Sequence, residues 1–440
     1  MAYYPDWATG MFPPEKIDFG RFDWMDFAFA MPDSKFGMDW DGSDDAPELL
    51  MRFVTAAHAS RTKVKLSVGG WTGSKYFSKA VANDTGRHTL VNNILALYTK
   101  YDLDGIDIDW EYPGQDGNDG NNVDPLDSQN FLAFLQLLRT TLPQGAKITA
   151  AAQVVPFADV HGKPMRNISD FASVLDWVLL MNYDTWGSSS SPGPNAPLAD
   201  SCHNSTQKTN SAEAALLAWT SAGFPAAQLV LGVPSYGYIS KSSATSLRTR
   251  ARDSHWHGYR TRYRHRRQHR LRPRHTLGAW AGSVLAATSL PDDSRIRTDN
   301  APFAGLVVKD EDGHTTSGQI QFRELVQQGA LEYVSEAEAV RANTTGGAPT
   351  RLELANGQEI RSLYAGWSGF ERMWDACSST PFLRSPSVQQ VVSYDDPLSL
   401  GLKAAFVKEA GLLGVNIFDV TGDTDQWDLV DALRKGLGLP

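Results

Sequence analysis

The ten residues LDGIDIDWEY, at positions 103–112, determine how the rest of this chain can fold. Hydrophobic and acidic side chains alternate through them, and in a β-strand successive side chains point to opposite faces. Asp107, Asp109 and Glu111 therefore share one face, while the apolar residues at 106, 108 and 110 share the other. In a closed barrel of parallel strands, the apolar face packs against surrounding helices and the acidic face projects inward. The stretch predicts a barrel strand with an acidic interior end.

Seven similar apolar runs occur along the chain, so that residues 103–111 are one of eight. The other runs span residues 2–7, 24–30, 63–68, 147–154, 177–183, 229–235 and 412–420. Stretches with apolar residues at three- and four-residue spacing lie between them, for example at 89–101, 128–140, 211–222 and 397–410. Eight strand–helix units make a closed (β/α)₈ barrel. We therefore predict an α/β protein built on a TIM barrel.

A long insertion separates the last two predicted strands. Leu229 and Leu412 begin these strands and are 183 residues apart, whereas the earlier strand starts are at most 52 residues apart. The sequence therefore predicts barrel residues at 1–236 and 367–440, with an inserted subdomain at 237–366. Residues 317–329 give the clearest helical pattern within this insertion.

Residues 248–275, inside the insertion, have an anomalous composition. They contain 11 Arg and 5 His with a single acidic residue, Asp253. A disordered basic loop and a mistranslated stretch of the gene are the favoured interpretations, and a polyanion-binding patch is the third. We expect this segment to pack against no core and to lie outside the functional cleft.

The overall composition excludes several classes of protein. The formal net charge of −9 disfavours nucleic acid as the partner, because phosphate binding needs a surplus of Lys and Arg. No run of about 18 apolar residues could cross a bilayer. A neutral ligand such as a sugar is compatible with this composition. No basic and then apolar leader precedes the first predicted strand, so we expect either a missing upstream exon or a mature domain.

The three carboxylates of the fourth strand have the spacing of an acid–base site. Neighbours on one face of a strand lie about 7 Å apart, so Asp107, Asp109 and Glu111 would share a poorly solvated space. Repulsion and desolvation should raise the pKa of at least one of them, and Glu111 stands where barrel enzymes keep their sites. We expect Glu111 to be a general acid. A Mg²⁺ or Ca²⁺ site is the competing functional interpretation, and a solvated acidic edge, which the flanking Ile and Trp residues disfavour, is the structural one.

These residues resemble the signature of a known family. Asp104-x-x-Asp107-x-Asp109-x-Glu111 matches the Asp-x-x-Asp-x-Asp-x-Glu pattern of glycoside hydrolase family 18, the chitinases. Residues 67–70 (SVGG) resemble the family's Ser-x-Gly-Gly motif, residues 181–184 (MNYD) its Met-x-Tyr-Asp motif, and residues 393–396 (SYDD) the segment before its last helix. The resemblance covers residues 3 to about 423, except 248 to about 300. It implies that the insertion is an α+β subdomain that walls one side of a cleft.

The resemblance also implies roles for individual residues. Glu111 would protonate the glycosidic oxygen as the catalytic acid. The substrate's own 2-acetamido carbonyl would attack the anomeric carbon, while Asp109 would hydrogen-bond the acetamido N–H and Asp107 would hold or share a proton with Asp109. Tyr183 would orient the acetamido carbonyl, and Asp184 would contact the sugar. Neither a metal ion nor an organic cofactor is implied.

Further residues of these motifs would support or line the site. Structural support is expected from Asp104, Ser67, Gly69 and Gly70. Substrate binding is expected from Met181 and from the strand-end aromatic residues Tyr4, Phe29, Trp71, Trp186 and Phe418. Each aromatic side chain could equally belong to the core. Many members of the family carry Trp where this chain has Phe418, so the floor of the −1 subsite should offer less stacking area.

The predicted function is hydrolysis of chitin, the β-1,4-linked polymer of N-acetylglucosamine. An endo-β-N-acetylglucosaminidase acting on N-glycans is the first alternative, because its substrate also carries a 2-acetamido group. A chitin-binding lectin of the same fold is the second, and the retention of Glu111 disfavours it. We expect a monomer whose partner is the polysaccharide, with no nucleic-acid or membrane partner.

Two further features suggest an extracellular protein. Cys202 lies in the loop after the sixth strand and Cys377 lies before the eighth, so both loops should rim the same end of the barrel. A disulfide between them is a hypothesis that rests on this proximity and on export. Glycosylation sequons, usable only in the secretory pathway, occur at four positions, namely Asn83, Asn167, Asn204 and Asn343.

Overall fold

The structure is a computed structural model that describes residues 1–43, 45–247, 305–343, 348–353 and 359–440. In it, eight parallel strands close into a barrel, since the first strand pairs with both the second and the eighth. The first to eighth barrel strands are Ala2–Pro5, Trp24–Pro32, Lys63–Gly69, Gly105–Asp109, Lys147–Ala152, Trp177–Met181, Leu229–Pro234 and Gly414–Phe418. Each lies within or overlaps one of the eight predicted runs, so the predicted TIM barrel is confirmed.

Helices follow the barrel strands in the chain, and polar side chains cap the first turns of three of the described helices. The α-helices of the described residues are Ala46–Ala59, Gly70–Gly73, Phe77–Val81, Asp84–Lys100, Asp127–Thr141, Ser169–Val174, Ala212–Ser221, Phe322–Gln327, Glu336–Asn343, Pro397–Glu409 and Asp428–Leu437. Asn83, Ser211 and Asp396 each accept a hydrogen bond from a backbone N–H of the following first turn. Such caps satisfy N–H groups that have no partner within the helix, which explains why these helices begin where they do.

Alternate residues of the barrel strands enter two different cores. Trp110 faces outward, where its ring stacks on Phe77 and meets Phe131 edge to face, both rings belonging to helices. Tyr3 and Trp177 belong instead to a separate apolar cluster inside the barrel. The alternation predicted for residues 103–112 is therefore the pattern by which the strand separates an apolar shell from an interior that can hold polar groups.

The insertion between the seventh and eighth strands forms an α+β subdomain. Its antiparallel sheet has five strands, which are Tyr236–Lys241, Ser317–Gln321, Glu371–Asp375, Thr380–Ser385 and Gln390–Ser393. Two short antiparallel pairs join Leu331–Tyr333 to Tyr364–Gly366 and Arg351–Glu353 to Glu359–Arg361. The first strand of the sheet follows the seventh barrel strand after one residue, Ser235, so the subdomain continues directly from the barrel.

Two predictions for the insertion need correction. Residues 317–329 are not one helix, because Ser317–Gln321 pairs with Tyr236–Lys241 and only Phe322–Gln327 is helical. Three strands of the antiparallel sheet lie after residue 366, so the subdomain extends past the predicted boundary. The physical reason is that long-range strand pairing, which composition does not reveal, assigns these strands to the sheet.

Three further predictions concern residues 248–275, the two cysteines and the absence of a membrane-spanning run. Residues 248–275 lie outside the described residues. Cys202 and Cys377 form the expected disulfide, with their Cα atoms 5.2 Å apart and a sequence separation of 175. In the part of the chain that the structure describes, every helix is too short or too polar to cross a membrane.

Candidate active site

Three acidic side chains occupy the interior face at the C-terminal end of the fourth strand. Asp107 and Asp109 belong to the strand, and Glu111 lies two residues beyond its end. They are 1, 4 and 6 % exposed, respectively. Burial of three carboxylates in one space is costly unless polar groups compensate them, so their surroundings decide what they can do.

The third strand fixes the backbone that carries these carboxylates. A Cβ atom at Gly69 would lie 2.1 Å from the Asp109 carbonyl oxygen, and the φ of Gly69 is +117°, so that only glycine fits. The Ser74 hydroxyl accepts a hydrogen bond from the Glu111 N–H at 2.8 Å and donates to the Gly70 carbonyl at 2.8 Å. The Ser-x-Gly-Gly motif thus supports the site by allowing close approach of the two strand ends.

Asp107 is surrounded by hydroxyl groups that donate to it. Its Oδ2 accepts hydrogen bonds from the Tyr3 phenol and the Ser67 hydroxyl, each at 2.8 Å. Its Oδ1 accepts from the Thr149 hydroxyl at 2.5 Å. Burial raises the pKa of the Tyr3 phenol well above its usual value, and the charge of Asp107 raises it further, so Tyr3 keeps the proton that it donates. These donors come from three other strands and stabilise the ionised form of Asp107.

Tyr183 stands beyond the end of the sixth strand in an aromatic cluster. Its ring centroid lies 6.0 Å from that of Phe418 and 6.2 Å from that of Tyr236. Burial raises the pKa of the Tyr183 phenol well above its usual value, and negative charge on neighbouring carboxylates, chiefly Asp109, raises it further. Tyr183 therefore stays protonated and can donate a hydrogen bond within the site.

Asp184 is held by residues of the subdomain sheet. Its Oδ1 accepts hydrogen bonds from the phenols of Tyr236 at 2.7 Å and Tyr238 at 2.6 Å. Its backbone N–H donates to Asn195 Oδ1 at 2.9 Å, and Gln319 Nε2 donates to the Tyr238 phenol at 2.8 Å. The subdomain thus fixes the position of a carboxylate that belongs to the barrel.

The predicted aromatic residues have different locations. Phe29 lies in the interior cluster, with its ring centroid 6.2 Å from Tyr3. Phe418, at the end of the eighth strand, lies 5.4 Å from the Tyr3 ring. Trp71 is half-buried in the short helix after the third strand, and Met181 packs against the interior cluster. These four residues lie at or near the end of the barrel that carries the carboxylates.

Tyr4 and Trp186 are in the core rather than in a cleft. Tyr4 is fully buried, its ring stacks on Phe53, and its phenol donates to the Phe12 carbonyl at 2.9 Å. The prediction for Tyr4 is therefore wrong, because strand alternation turns Tyr4 outward and turns Tyr3 toward Asp107. Trp186 is also buried, and it packs so closely against Gly193 that a Cβ there would lie 2.4 Å from the indole ring.

Asp104, the first acidic residue of the signature, lies at the opposite end of the strand from Glu111. It accepts hydrogen bonds from Lys63 Nζ at 2.7 Å, His58 Nε2 at 2.9 Å and the Val64 N–H at 2.9 Å. Burial alone would raise the pKa of Asp104, but these hydrogen bonds lower it below its ordinary value. Asp104 thus links the start of the third strand to the last turn of the helix Ala46–Ala59.

Several residues of the site were not predicted from the sequence. The most informative are Tyr3, Thr149, Ser74, Tyr236 and Tyr238, each of which hydrogen-bonds a predicted residue. Tyr3 is distinguished from Tyr4 only by the register of the first two strands, in which Tyr3 lies opposite Asp26. The sequence carried no signal for these residues, since Ser, Thr and Tyr occur throughout the chain.

The site does not gather ligands for a metal ion in the described part of the chain. Among those residues, no three His, Cys, Asp or Glu side chains are grouped as metal ligands would be. The groups around Asp107 are hydroxyls that donate hydrogen bonds to it, so both of its carboxylate oxygens already have partners. The arrangement is suited to moving protons among carboxylates and to hydrogen-bonding a polar ligand.

Comparison with known proteins agrees with the observed fold and identifies the family. The family model of glycosyl hydrolases family 18 matches residues 1–423. A chitinase-like effector from Moniliophthora roreri is 34 % identical over 443 residues, which cover 100 % of this chain and 92 % of that protein. The crystal structure of the chitinase RmChi1 from Rhizomucor miehei has a TM-score of 0.69 and 28 % identity, covering 99 % of each chain.

A more distant neighbour shares the fold alone. The class V chitinase from Nicotiana tobaccum, solved in complex with NAG4, has a TM-score of 0.67 at 19 % identity and covers 100 % of this chain and 98 % of its own. The family match, by contrast, includes the barrel, the acidic strand end and the strands of the subdomain sheet. The chain therefore belongs to glycosyl hydrolase family 18.

Proposed function

We propose that this protein is a glycosidase that hydrolyses chitin and oligomers of β-1,4-linked N-acetylglucosamine. The observation that carries the proposal is the position of Glu111 next to Asp109 at the C-terminal end of the fourth strand, where barrel enzymes bind their substrates. Tyr183 and Asp184, beyond the sixth strand, supply hydrogen-bonding groups at the same end. The name of the Rhizomucor miehei neighbour, a chitinase, supports the same substrate class.

The proposed reaction uses the substrate as its own nucleophile. Glu111 gives its proton to the glycosidic oxygen while the bond from that oxygen to the anomeric carbon breaks. The 2-acetamido carbonyl oxygen forms a new bond to the anomeric carbon, which produces a cyclic oxazolinium ion and a free chain end. Water then attacks the anomeric carbon and gives a proton to the Glu111 carboxylate, while the bond from that carbon to the acetamido oxygen breaks and the acetamido group is restored. Two inversions at one carbon give retention of configuration.

Asp109 and Tyr183 would act on the acetamido group. Asp109, two residues before Glu111 on the same face, would accept a hydrogen bond from the acetamido N–H, and the single negative charge of the Asp107–Asp109 pair would oppose the positive charge of the oxazolinium ion. Tyr183 keeps its proton because burial raises its pKa, so its phenol can donate to the acetamido carbonyl oxygen. Asp107, fixed by Tyr3, Ser67 and Thr149, would exchange a proton with Asp109 during this step.

Phe418 would form the floor beneath the reacting sugar. Its ring lies within an aromatic cluster, 5.4 Å from Tyr3 and 6.0 Å from Tyr183. Aromatic rings stack on the apolar C–H faces of sugars, and Phe covers less area than the Trp that many relatives carry. We infer weaker holding of the sugar than a Trp would give, which makes the hydrogen bonds of Asp184 and Tyr183 more important.

Binding without turnover is the second candidate function. Two relatives, from Moniliophthora roreri and Moniliophthora perniciosa, are named chitinase-like effectors, and they are 34 % and 31 % identical to this chain. Their names describe likeness to a chitinase and not hydrolysis. The retention of Glu111, Asp109 and Asp107 in one buried set supports hydrolysis by this chain over binding alone.

One set of assays separates these functions. Purified protein should release products from N-acetylglucosamine oligomers, and proton NMR should show the β-anomer first. Fully deacetylated chitosan should be inert because it has no acetamido oxygen, and a thiazoline analogue should inhibit competitively. Release of sugar only from a high-mannose glycopeptide would support the endo-β-N-acetylglucosaminidase instead. Binding of oligomers without any product would identify a lectin, and an initial α-anomer would contradict the mechanism.

We further propose that the protein acts outside the cell as a monomer. The Cys202–Cys377 disulfide supports this location, because disulfides persist in oxidising compartments. The sequon residues Asn83, Asn167 and Asn204 are exposed, so the folded protein leaves them accessible to glycosylation. Mass spectrometry of the protein from its native source should find the disulfide and glycans on these residues. Reduced, unglycosylated protein found only in the cytosol would contradict the proposal.

A further inference from the structure

The barrel interior holds a buried ion pair beneath Asp107, and the reaction described above does not use this pair. Lys65 of the third strand and Asp26 of the second strand form an ion pair with Nζ and Oδ1 2.7 Å apart. The side chains are 2 % and 0 % exposed. Asn416 of the eighth strand donates to Asp26 Oδ2 at 2.9 Å. A pair removed from water is costly to bury, and apolar residues of similar size would fill the same space at lower cost.

The ammonium group of Lys65 is linked to Asp107 through one hydroxyl. Lys65 Nζ donates to Thr149 Oγ1 at 2.9 Å, and that hydroxyl donates to Asp107 Oδ1 at 2.5 Å. Because Lys65 occupies the acceptor site of Thr149, the proton of that hydroxyl is directed to Asp107. Lys65 Nζ also lies 3.9 Å from Asp107 Oδ1 and 4.8 Å from the centroid of the Trp177 ring. The cation thus lies between Asp26, Asp107 and an aromatic ring.

We propose that Lys65 is a positioning residue that keeps Asp107 ionised, so that the proton shared by Asp107 and Asp109 is carried by Asp109. This inference rests on the proposed function and deepens it. The step moves one proton within the carboxylate pair and changes no other bond. Asp109 then holds a proton as it turns to the acetamido group, while the charge left on Asp107 is balanced by Lys65.

The other titratable groups described around Asp107 are neutral or acidic, so they cannot balance its negative charge as Lys65 does. Tyr3 from the first strand has a raised pKa and is neutral, and so is Tyr183 beyond the sixth strand, which neighbours Asp109. Asp109 on the same strand and Asp26 on the second strand are acids that oppose ionisation of Asp107. Burial raises the pKa of Asp26 to about 6, Lys65 lowers it, and the charge of Asp107 raises it, so the pair beneath is electrostatically linked to the site.

Variants of the pair should move the acidic limb of the pH dependence of kcat in opposite directions. Lys65→Met removes the cation, so ionised Asp107 becomes less stable and the limb moves to higher pH, by about one unit or more. Asp26→Asn removes an anion and leaves the cation, so the limb moves to lower pH. The double variant Asp26→Asn/Lys65→Met leaves no buried charge unpaired, and should fold even if Lys65→Met does not. Its limb should move to higher pH, like that of Lys65→Met.

A matched control separates this effect from a loss of packing. Lys403 and Asp395 form another fully buried ion pair, on the helix Pro397–Glu409 and the residues before it. Lys403→Met should lower the temperature of unfolding as Lys65→Met does, but leave the acidic limb where it is. Equal limb positions in Asp26→Asn, the double variant and the wild type would show a purely structural pair and overturn the proposal.

A second measurement does not depend on turnover. Carbon-13 NMR of protein labelled at aspartate carboxyl groups can follow the titration of Asp107, whose signal is identified by its absence in Asp107→Asn. The pKa of Asp107 should rise in the double variant and fall in Asp26→Asn. A wild-type protein without hydrolysis would contradict the proposed function alone, and this titration would still decide the role of Lys65. No change in the Asp107 titration would overturn that role.

Discussion

Aspartates toward the two ends of the fourth strand have different surroundings. At the N-terminal end, Asp104 is partly exposed and accepts hydrogen bonds from two cationic or potentially cationic side chains, Lys63 and His58. At the C-terminal end, Asp107 is buried and accepts from the neutral hydroxyls of Tyr3, Ser67 and Thr149. One end therefore fixes a charge permanently, and the other holds a charge that neighbouring acids can exchange.

The difference shows why one signature contains two kinds of acidic residue. A carboxylate with direct cationic partners has a lowered pKa and takes no part in proton transfer near neutral pH. Asp107, held by neutral hydroxyl groups beside Asp109, is instead placed to share a proton with that neighbouring acid. Substitution of Glu111, Tyr3 and Asp104 should therefore have effects of decreasing size.

The largest effect should follow removal of the proton donor. Glu111→Gln keeps the shape of the side chain and removes its acidic proton, so kcat on N-acetylglucosamine oligomers should fall about 10²- to 10⁴-fold. Binding of the oligomers, measured by calorimetry, should remain close to that of the wild type. Asp104→Asn is the matched control at the other end of the strand, and it should retain kcat. Turnover by Glu111→Gln at the wild-type rate would refute the assignment of the acid.

A smaller loss should follow removal of one donor to Asp107. Tyr3→Phe deletes the phenol that lies 2.8 Å from Asp107 Oδ2, and a hydrogen bond to a charged group contributes about 1.5 to 3 kcal/mol. We expect kcat to fall by about 10- to 100-fold, with a smaller change in KM. Tyr4→Phe makes the same chemical change one residue away, outside the barrel interior, and should leave kcat unchanged. Equal effects of the two substitutions would mean that the inward and outward assignments of this pair are mistaken.

The smallest effect should be on stability at the N-terminal end of the strand. Asp104→Asn weakens hydrogen bonds to Lys63 and His58 and should lower the free energy of unfolding by about 1 kcal/mol at neutral pH. Because the folded-state pKa of Asp104 lies below its ordinary value of 3.8, this contribution is fully present above that value. It is lost as the pH falls through the folded pKa.

Denaturant titrations of the wild type and Asp104→Asn at several pH values will check that prediction. The two unfolding curves should differ by a constant amount above about pH 5 and should approach each other at more acidic pH. A difference that grows as the pH falls would show that Asp104 is stabilised in its protonated form, and would remove the contrast between the two strand ends.

Much of the fold could be predicted because it depends on local patterns. The barrel strands lie in largely apolar runs, and apolar residues recur every three or four positions in the helices between them. All eight strands could therefore be located from the sequence. The subdomain was harder, because Ser317–Gln321 is a strand only by virtue of its partner Tyr236–Lys241. The pattern of a short segment does not identify a partner some 80 residues away.

The candidate site, too, has residues that could be predicted from the sequence and residues that could not. The spacing of Asp107, Asp109 and Glu111 on one strand placed them together without any tertiary information, and the structure buries all three. Tyr3 and Tyr4 are adjacent and chemically identical, so nothing in their type reveals which one faces Asp107. That choice follows from the register of the first strand against the second, where Tyr3 lies opposite Asp26.

The barrel, the acidic strand end and the family signature could be predicted, because each depends on residue spacing along one strand or on the number of strand–helix units. The identity of the neutral donors to Asp107, the hydrogen bonds of Tyr236 and Tyr238 to Asp184, and the position of Lys65 and Asp26 beneath the site emerged from the folded structure alone. Those contacts join residues from different strands. Closure of the barrel, which no local pattern describes, brings these side chains within hydrogen-bonding distance.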